Sequence, residues 1–428
     1  MPSAGRFRSS HSKTSETSAD TPPQRKRSKD GGQSKSFEPP TFIIDLSLPP
    51  RERHREICRI FRKELQTLVP LYDEIMSYMP FPRLFRAAAK MALRRVASRE
   101  ETEEMLGIVE ETGIPRHLVV AYNTFLDIMS GCVSGGVRVC DAGLGGRTEG
   151  VVHFRGLDWE MEQLRALTIC IEYMRGGEVV ARSVSYAGYT GVLTGVRQGL
   201  SMSLNYRMRI LSPSSQISHR IHQLALLFGL RPSISSYLRE ILLSPGKAPR
   251  PRSIIAAVPK FYSSPSYLVF CTPSTALLLE KDLHGATVYV GDGVSGGERL
   301  GSQEGEYLIV ATNHDCHMES WSKAQWKEAI DYHGEIVEGL SKAILEDSIE
   351  RKQTVMDMWQ RKIKRTPGRR PDSPAVDLLQ VRDVQKWLQR KPVLNECTHF
   401  SCIMDPSVEG GGLLWVRSYS EPVDTSKR

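Results

Sequence analysis

Between Gly131 and Asp158 the chain reads GCVSGGVRVCDAGLGGRTEGVVHFRGLD, and three residue types in it could act together: the Cys132 thiol, the Arg155 guanidinium and the Asp158 carboxylate. A guanidinium beside a thiol favours the reactive thiolate, and a carboxylate can hold an amine or orient a donor. A β-hairpin would bring them together. Cys132 to Val139 and Val151 to Asp158 are short, partly β-branched runs, and Gly143, Gly145, Gly146 and Gly150 supply turn residues between them. A turn near residue 145 pairs the arms at a residue sum of about 290. That register sets Cys132 opposite Asp158, with Arg155 further toward the turn. The plain structural alternative for Arg155 and Asp158 is a salt bridge.

These residues also carry a resemblance. Cys132-Val-Ser134 and Arg155-Gly-Leu-Asp158 are similar to the Cys-Thr-Ser and Arg-Asn-x-Asp pair of the acid ceramidase and N-acylethanolamine acid amidase family. Phe42 to Pro50, Tyr122 to Phe125, Tyr189 to Gly195, Ser203 to Tyr206, Ala311 to Asp315 and Lys391 to Asn395 resemble further segments of that family in the same order. The similarity covers roughly residues 40 to 420, and ordered motifs are more specific than any single one.

The resemblance implies an N-terminal-nucleophile amidohydrolase that cuts its own chain at Gly131–Cys132. A free α-amino group has an unperturbed pKa of about 7.7 to 8 and can relay the thiol proton, which an amide cannot do. In the roles it implies, Arg155 lowers the thiol pKa, Asp158 holds the freed amine and Asn313 points its amide at the developing oxyanion. Arg351 steadies the far wall, and Asn205 and Tyr206 border the oxyanion and substrate side. The implied substrate is a long-chain N-acyl lipid, ceramide first, with N-acylethanolamine as the alternative. No cofactor or metal is implied. Two departures, Val133 for the usual threonine and Tyr206 where ceramidases carry glutamate, keep a non-catalytic lipid-binding relative as the alternative of another class.

Cys140 competes for the nucleophile. It lies 15 residues from Arg155, close to the family spacing, whereas Cys132 lies 23 away. Against that, only Cys132 opens a Cys-x-Ser and follows Tyr122 without a gap, and a surplus in Gly143 to Gly150 lengthens a turn at little entropic cost. The reading takes Cys132, with Cys140 as a small apolar strand residue.

The elements that must position these groups follow from pattern. Residues 1–40, rich in Ser, Lys and Arg, form a disordered basic tail. Residues 41–131 give a strand at Thr41 to Leu48 and helices at Arg51 to Leu68, Pro82 to Val96, Glu100 to Thr112 and Pro115 to Ile128. Residues 132–428 form the catalytic part. Its strands are expected at Ala166 to Glu172, Glu178 to Tyr186, Gly199 to Asn205, Tyr267 to Phe270, Thr275 to Leu279, Thr287 to Val290 and Tyr307 to Thr312. Its helices are expected at Ile217 to Phe228, Ile234 to Leu243, Ser322 to Leu345 and Ala375 to Arg390. The fold class is α+β, and the resemblance implies the four-layer αββα sandwich with a small, mainly helical N-terminal domain. Leu118 to Ile128 and Ile217 to Leu230 are expected to wall an acyl groove.

Composition excludes other classes. The tail contributes half of the net charge of +8, and no nucleic-acid module is recognised, so nucleic acid is not an expected partner. Arg25 to Lys29 and the run RKIKRTPGRR at Arg361 to Arg370 read as solvated, the second with a transient attraction to anionic lipid. The eight cysteines are scattered, so reduced thiols are expected. No apolar run reaches the roughly 18 residues of a membrane span and no secretory core is visible, which favours a cytoplasmic protein. His314-Asp-Cys-His317 falls short of a closed four-ligand zinc site, and Gly291 to Gly297 lacks a phosphate-loop ending.

Overall fold

The computed structural model describes residues 36–125, 131–141, 149–207, 213–291, 298–299, 308–322, 324–325, 342–364 and 379–423. The tail before Ser36, the hairpin turn, the glycine loop after Gly291, most of the helix expected from Ser322 and the basic run beyond Lys364 lie outside these residues.

Two short strands open the described chain, β1 (Ser36–Phe37) and β2 (Thr41–Asp45). Residues 36–40, read as tail, are therefore part of the fold. Six helices follow: α1 (Arg55–Ile60), α2 (Arg62–Gln66), α3 (Leu68–Ser77), α4 (Pro82–Ala92), α5 (Arg99–Thr112) and α6 (Arg116–Phe125). The single helix expected from Arg51 to Leu68 is broken at Phe61, whose ring packs edge-on against Phe42, 5.8 Å between centroids. Gly107 in α5 answers to a close approach: a Cβ there would sit 2.0 Å from the Arg51 carbonyl oxygen.

The remaining strands are β3 (Gly131–Val139), β4 (Gly150–Asp158), β5 (Thr168–Arg175), β6 (Glu178–Tyr186), β7 (Thr194–Arg197) and β8 (Leu200–Tyr206). Then come β9 (Ser266–Cys271), β10 (Ala276–Lys281), β11 (Ala286–Val290), β12 (Glu298–Arg299), β13 (Leu308–Ala311), β14 (Thr398–Asp405) and β15 (Gly412–Tyr419). The helices among them are α7 (Pro213–Leu227), α8 (Ile234–Leu243), α9 (Pro251–Ala257), α10 (Lys342–Lys364) and α11 (Val381–Leu388). One sheet runs β1-β15-β14-β4-β3-β13, the other β12-β11-β10-β9-β8-β7-β6-β5-β2. The two strands before the helices thus each form the edge of a different sheet.

The sheets stack face to face, with β3 lying over β8, β9 and β10. Alternation along β3 and β4 divides their side chains between two layers. Cys132, Leu157 and Arg155 turn toward the second sheet, whereas Val133, Val152 and Phe154 pack outward with Val355 and Trp359 of α10 and Val384 and Trp387 of α11. On the far side α8 covers the second sheet, burying Leu238 and Leu242. These are the four layers, helix, sheet, sheet and helix, that were expected.

The hairpin register differs by one step from expectation: Gly131 stands opposite Asp158, and Cys132 opposite Leu157. Because the side-chain period is two, this step decides which face each group joins. Gly136 lets the layers close, since a Cβ there would fall 2.5 Å from the Ala276 Cβ of β10, and Gly135 leaves room within its own sheet, where a Cβ would fall 2.0 Å from the Ile309 carbonyl oxygen of β13.

A buried ion cluster joins the helices before Cys132 to those after it. Glu104 of α5, 0% exposed, accepts Arg239 Nη1 at 2.5 Å and Nη2 at 2.7 Å from α8, and Arg53 Nη1 at 2.9 Å. Burial opposes its charge, but Arg239 and His54 outweigh burial and hold the carboxyl well below its usual range. That stabilisation is present above the unfolded carboxyl pKa and is lost as pH falls toward the depressed folded value. Arg239→Leu, which leaves Glu104 short of its bidentate partner, is expected to cost about 3 to 5 kcal/mol in urea unfolding at neutral pH. A cost below about 1 kcal/mol would mean that Arg53 alone satisfies Glu104.

Candidate active site

Arg155 is 0% exposed and stands between the two sheets. Its Nη1 donates to Asn205 Oδ1 of β8, an oxygen that also accepts the Ser134 hydroxyl at 2.7 Å. Asn205 is fixed in turn by donating Nδ2 to the Ala311 and Thr312 carbonyls, both at 3.2 Å. Arg155 Nε and Nη2 have no hydrogen-bond partner, and no carboxylate pairs with this guanidinium among the described residues. On the same face His153 sits between Ser201 Oγ (3.0 Å) and Ser203 Oγ (2.8 Å). Burial and the Arg155 charge push its pKa down to about 3, so it is neutral. Arg155 stands opposite Ser134, which makes Cys132 its diagonal neighbour on this face, at a Cα separation of roughly 7 to 8 Å and within reach of a long side chain.

Asp158, three residues from Arg155, turns to the opposite face of the sheet, so the two form no salt bridge. Its Oδ1 accepts Thr398 Oγ1 at 2.7 Å, and its Oδ2 accepts Arg351 Nη1 at 2.7 Å and Asn395 Nδ2 at 3.1 Å. Arg351 comes from α10, where Asp347 also pairs with its Nε at 2.8 Å. Asn313, just past β13, bridges the faces: its Oδ1 accepts the Cys132 backbone N–H at 2.8 Å and lies 3.3 Å from Arg351 Nη2. Its Nδ2 donates to the Tyr206 carbonyl at 2.7 Å. In the uncut chain, then, the Cys132 nitrogen rests on Asn313 and not on Asp158. The Asn313 amide, expected to face an oxyanion, is engaged with Tyr206.

Six of the residues singled out by sequence therefore meet here, Cys132, Arg155, Asp158, Asn205, Asn313 and Arg351. Gly131 lies across from Asp158, and Tyr206 contributes its carbonyl. Val133 packs outward, so its missing hydroxyl lies away from the face that carries the thiol. Cys140, just beyond the far end of β3, is eight residues from Cys132, about 26 Å along a strand, and its N–H bonds the Leu379 carbonyl. The structure separates it from Arg155.

Sequence reasoning missed Thr398 and the role of Asn395, although the Lys391 to Asn395 segment had been singled out. It also missed Trp159, Tyr186 and His399. A bulge in β14 between Thr398 and Phe400 lets Thr398 reach Asp158 while His399 Nδ1 meets Tyr186 Oη at 2.9 Å. Burial and Arg165 hold His399 at about 3, and burial raises Tyr186 well above the ordinary phenol value. Trp159 touches both rings and also lines an apolar cavity of about 340 Å³. Leu118, Val119 and Tyr122 of α6, from the stretch read as a groove wall, line one side of that cavity. The other wall is α3, with Leu68, Leu71 and Ile75, whereas α7 turns Ile217, Ile221 and Leu224 outward and Phe228 just after it is exposed as well.

Glu280, Asp315 and His317 bring ligand atoms within 4.8 Å of one another. Asp315 is already occupied, since its oxygens accept Arg207 Nε and Nη2, both at 2.6 Å, and Tyr267 Oη at 2.7 Å.

A family model described as the beta subunit of N-acylethanolamine-hydrolyzing acid amidase matches residues 37–95. The acid ceramidase of Rattus norvegicus is 28% identical over 189 residues, 40% of this chain and 46% of that protein. The N-acylethanolamine-hydrolyzing acid amidase of Caenorhabditis elegans is 30% identical over 184 residues, 40% of this chain and 48% of that one. The match spans about half the length of these curated relatives. Among solved structures, a Caenorhabditis elegans N-acylethanolamine-hydrolyzing acid amidase ortholog overlays with a TM-score of 0.43 and 22% identity, over 64% of this chain and 93% of that chain.

A buried guanidinium with, among the described residues, one hydrogen bond and no paired carboxylate is a net cost to folding. Arg155→Met, similar in length and apolar, is expected to leave the urea unfolding free energy unchanged or to raise it. A loss above about 2 kcal/mol would show the ion to be compensated in the native state.

Proposed function

We propose, from the premise that this chain is related to the acid ceramidase and N-acylethanolamine acid amidase family, that it is a cysteine amidohydrolase. It frees Cys132 by cutting its own chain and then cleaves the amide of long-chain N-acyl lipids, ceramide first. The observation that carries the reading is Arg155, a buried cation with two donor nitrogens, Nε and Nη2, unpartnered among the described residues on the face it shares with Cys132. A thiolate is the counter-charge this face lacks.

In the cut, Cys132 sulfur attacks the Gly131 carbonyl carbon. The C–N bond breaks as the nitrogen takes a proton, and the Gly131 acyl group passes to sulfur as a thioester. Water then releases the Gly131 carboxylate and restores the thiol. The new α-amine keeps Asn313 Oδ1 as its acceptor, and Asp158, across from the departing glycine, receives its ammonium form. In turnover the amine takes the thiol proton and gives it to the leaving nitrogen. The acyl group forms a thioester on Cys132, which water hydrolyses. Asn205, through Arg155, and Arg351, through Asp158, hold the two faces in place. The fragments ending at Gly131 and beginning at Cys132 stay together through β1, β2 and the Glu104 cluster.

The acyl chain fits the cavity beside Trp159, where each buried CH₂ contributes about 0.8 kcal/mol. At about 340 Å³ the cavity is at the small end for ligand sites, room for one chain. This is the observation that favours the ethanolamide as second substrate. A second chain would stay at the surface, where Phe81, Leu84 and Met91 of the α4 region and Ile217, Leu224 and Leu230 of the α7 region are exposed. The Gly229 turn packs on Arg95 and brings these regions together, and Arg94, Arg95, Arg220 and Arg231 lie among them, a composition suited to lipid surfaces. Among the described residues no helix is long and apolar enough to cross a membrane.

Intact-mass measurement of purified protein should give two fragments, the larger beginning with Cys132, and Cys132→Ala should stay whole. Fully active wild type that remains uncut would overturn the mechanism. With cut protein, kcat/KM should rise with acyl length across N-acyl-sphingosines and N-acylethanolamines. Preference for the ethanolamides would move the substrate to the second reading, and turnover of neither series would sink the lipid-amidase reading.

A further inference from the structure

Behind Asn313 three side chains line up that no role above uses. Ser348, on the face of α10 that carries Arg351, is 0% exposed, and its Oγ accepts the Asn313 N–H at 2.8 Å. The same oxygen lies 2.8 Å from His314 Nδ1, which Thr312 Oγ1 approaches at 3.1 Å. His314 is buried, and its Nε2 lies 3.4 Å from Glu319 Oε1, within ion-pair distance but without hydrogen-bond geometry. Glu319 in turn pairs with Lys352, the residue after Arg351, and Lys352 Nζ lies 3.6 Å from Cys316 Sγ. Asp315 completes the charged surroundings.

A hydroxyl that already accepts an N–H still has its own proton to give, and a carboxylate charge 3.4 Å from Nε2 favours the imidazole proton on that nitrogen. Nδ1 is then the acceptor for Ser348. Burial, aided by Lys352, lowers the His314 pKa against the pull of Glu319, which agrees with a neutral ring.

We propose that Glu319, His314 and Ser348 form a positioning relay that fixes the turn carrying Asn313, with Ser348 as its decisive link. The inference rests on the reading above, in which Asn313 holds the Cys132 nitrogen. The Asn313 carboxamide must keep Oδ1 on that nitrogen, and Ser348 is the anchor of its own backbone N–H. One helix then sets both sides of the nucleophile, Arg351 through Asp158 and Ser348 through Asn313. A shift of about 1 Å in such a group costs about 10²-fold in rate.

The test compares Ser348→Ala, the half-exposed Glu319→Gln and the double variant in the full chain, with unfolding midpoints measured in parallel. The rate of cutting at Gly131–Cys132 and, on cut protein, kcat and KM for a long-chain N-acyl amide are the kinetic readouts. Hydrogen exchange at residues 312–314 is the structural one. Ser348→Ala should lower kcat by about 10²-fold with KM nearly unchanged, and the double variant should be no slower, since both changes act through one chain of contacts. Exchange at Asn313 should quicken. Wild-type kcat and exchange in folded Ser348→Ala, or losses that multiply in the double variant, would overturn the relay. An inactive, uncut wild type would instead defeat the amidohydrolase reading, and exchange would still decide the relay: faster in Ser348→Ala supports it, unchanged overturns it.

Discussion

The site depends on one unbalanced charge. Arg155 is fully buried between two sheets and, among the described residues, holds a single hydrogen bond, to Asn205, with Nε and Nη2 unpartnered. An isolated cation in such a place opposes folding, so it persists only where the surrounding structure over-determines it and something other than stability selects it. The surroundings here do so. Asn205 is tied to β13 through the Ala311 and Thr312 carbonyls and to β3 through Ser134, so the guanidinium is clamped by three strands from both sheets. His153, the nearest titratable neighbour along the strand, is kept neutral and competes for nothing. On the proposed reading the Cys132 thiolate supplies the balancing charge, whereas burial pushes up the pKa of the Cys402 thiol, opposite Arg155 on β14, and keeps it protonated.

The hairpin separates two jobs by parity. Cys132 and Arg155 point into the buried space between the sheets, with Asn205, His153 and the serines of β3 and β8. Asp158 points the other way, into the ion and amide cluster of Arg351, Asn395 and Thr398. Asn313 reaches across the boundary to the Cys132 nitrogen, the atom that changes from amide to amine if the chain is cut. The side chain and the backbone nitrogen of this single residue thus face different groups: the side chain shares the inter-sheet face with Arg155, and the nitrogen rests on Asn313.

Much of this was legible from residue types. The strand Glu178–Tyr186 and the helix Ile234–Leu243 are found at the bounds that pattern assigns them, and each hairpin arm starts one residue before the assigned bound. The register was one residue off because the turn that sets it is long and glycine-rich, with no two-residue turn signal to count from. The pairing of Arg155 with Asn205 joins positions 50 apart on different sheets, and the links of Asp158 to Arg351 and Asn395 span 193 and 237 residues. No local period encodes such contacts. β14, β15 and α10 were missed for a different reason. Thr398 to Asp405 mixes buried polar and apolar residues on both faces, which removes the alternation a half-exposed strand would show, and α10 is largely charged along its length.

The central claim is that Cys132 sulfur carries the acyl group. Cut protein mixed with a long-chain N-acyl amide and quenched in acid within the first turnover should show the larger fragment heavier by one acyl group, less one hydrogen. The label should map to Cys132 and disappear on treatment with hydroxylamine. An acyl group found on Cys140 or another residue, or turnover with no acylated fragment at any quench time, would contradict it.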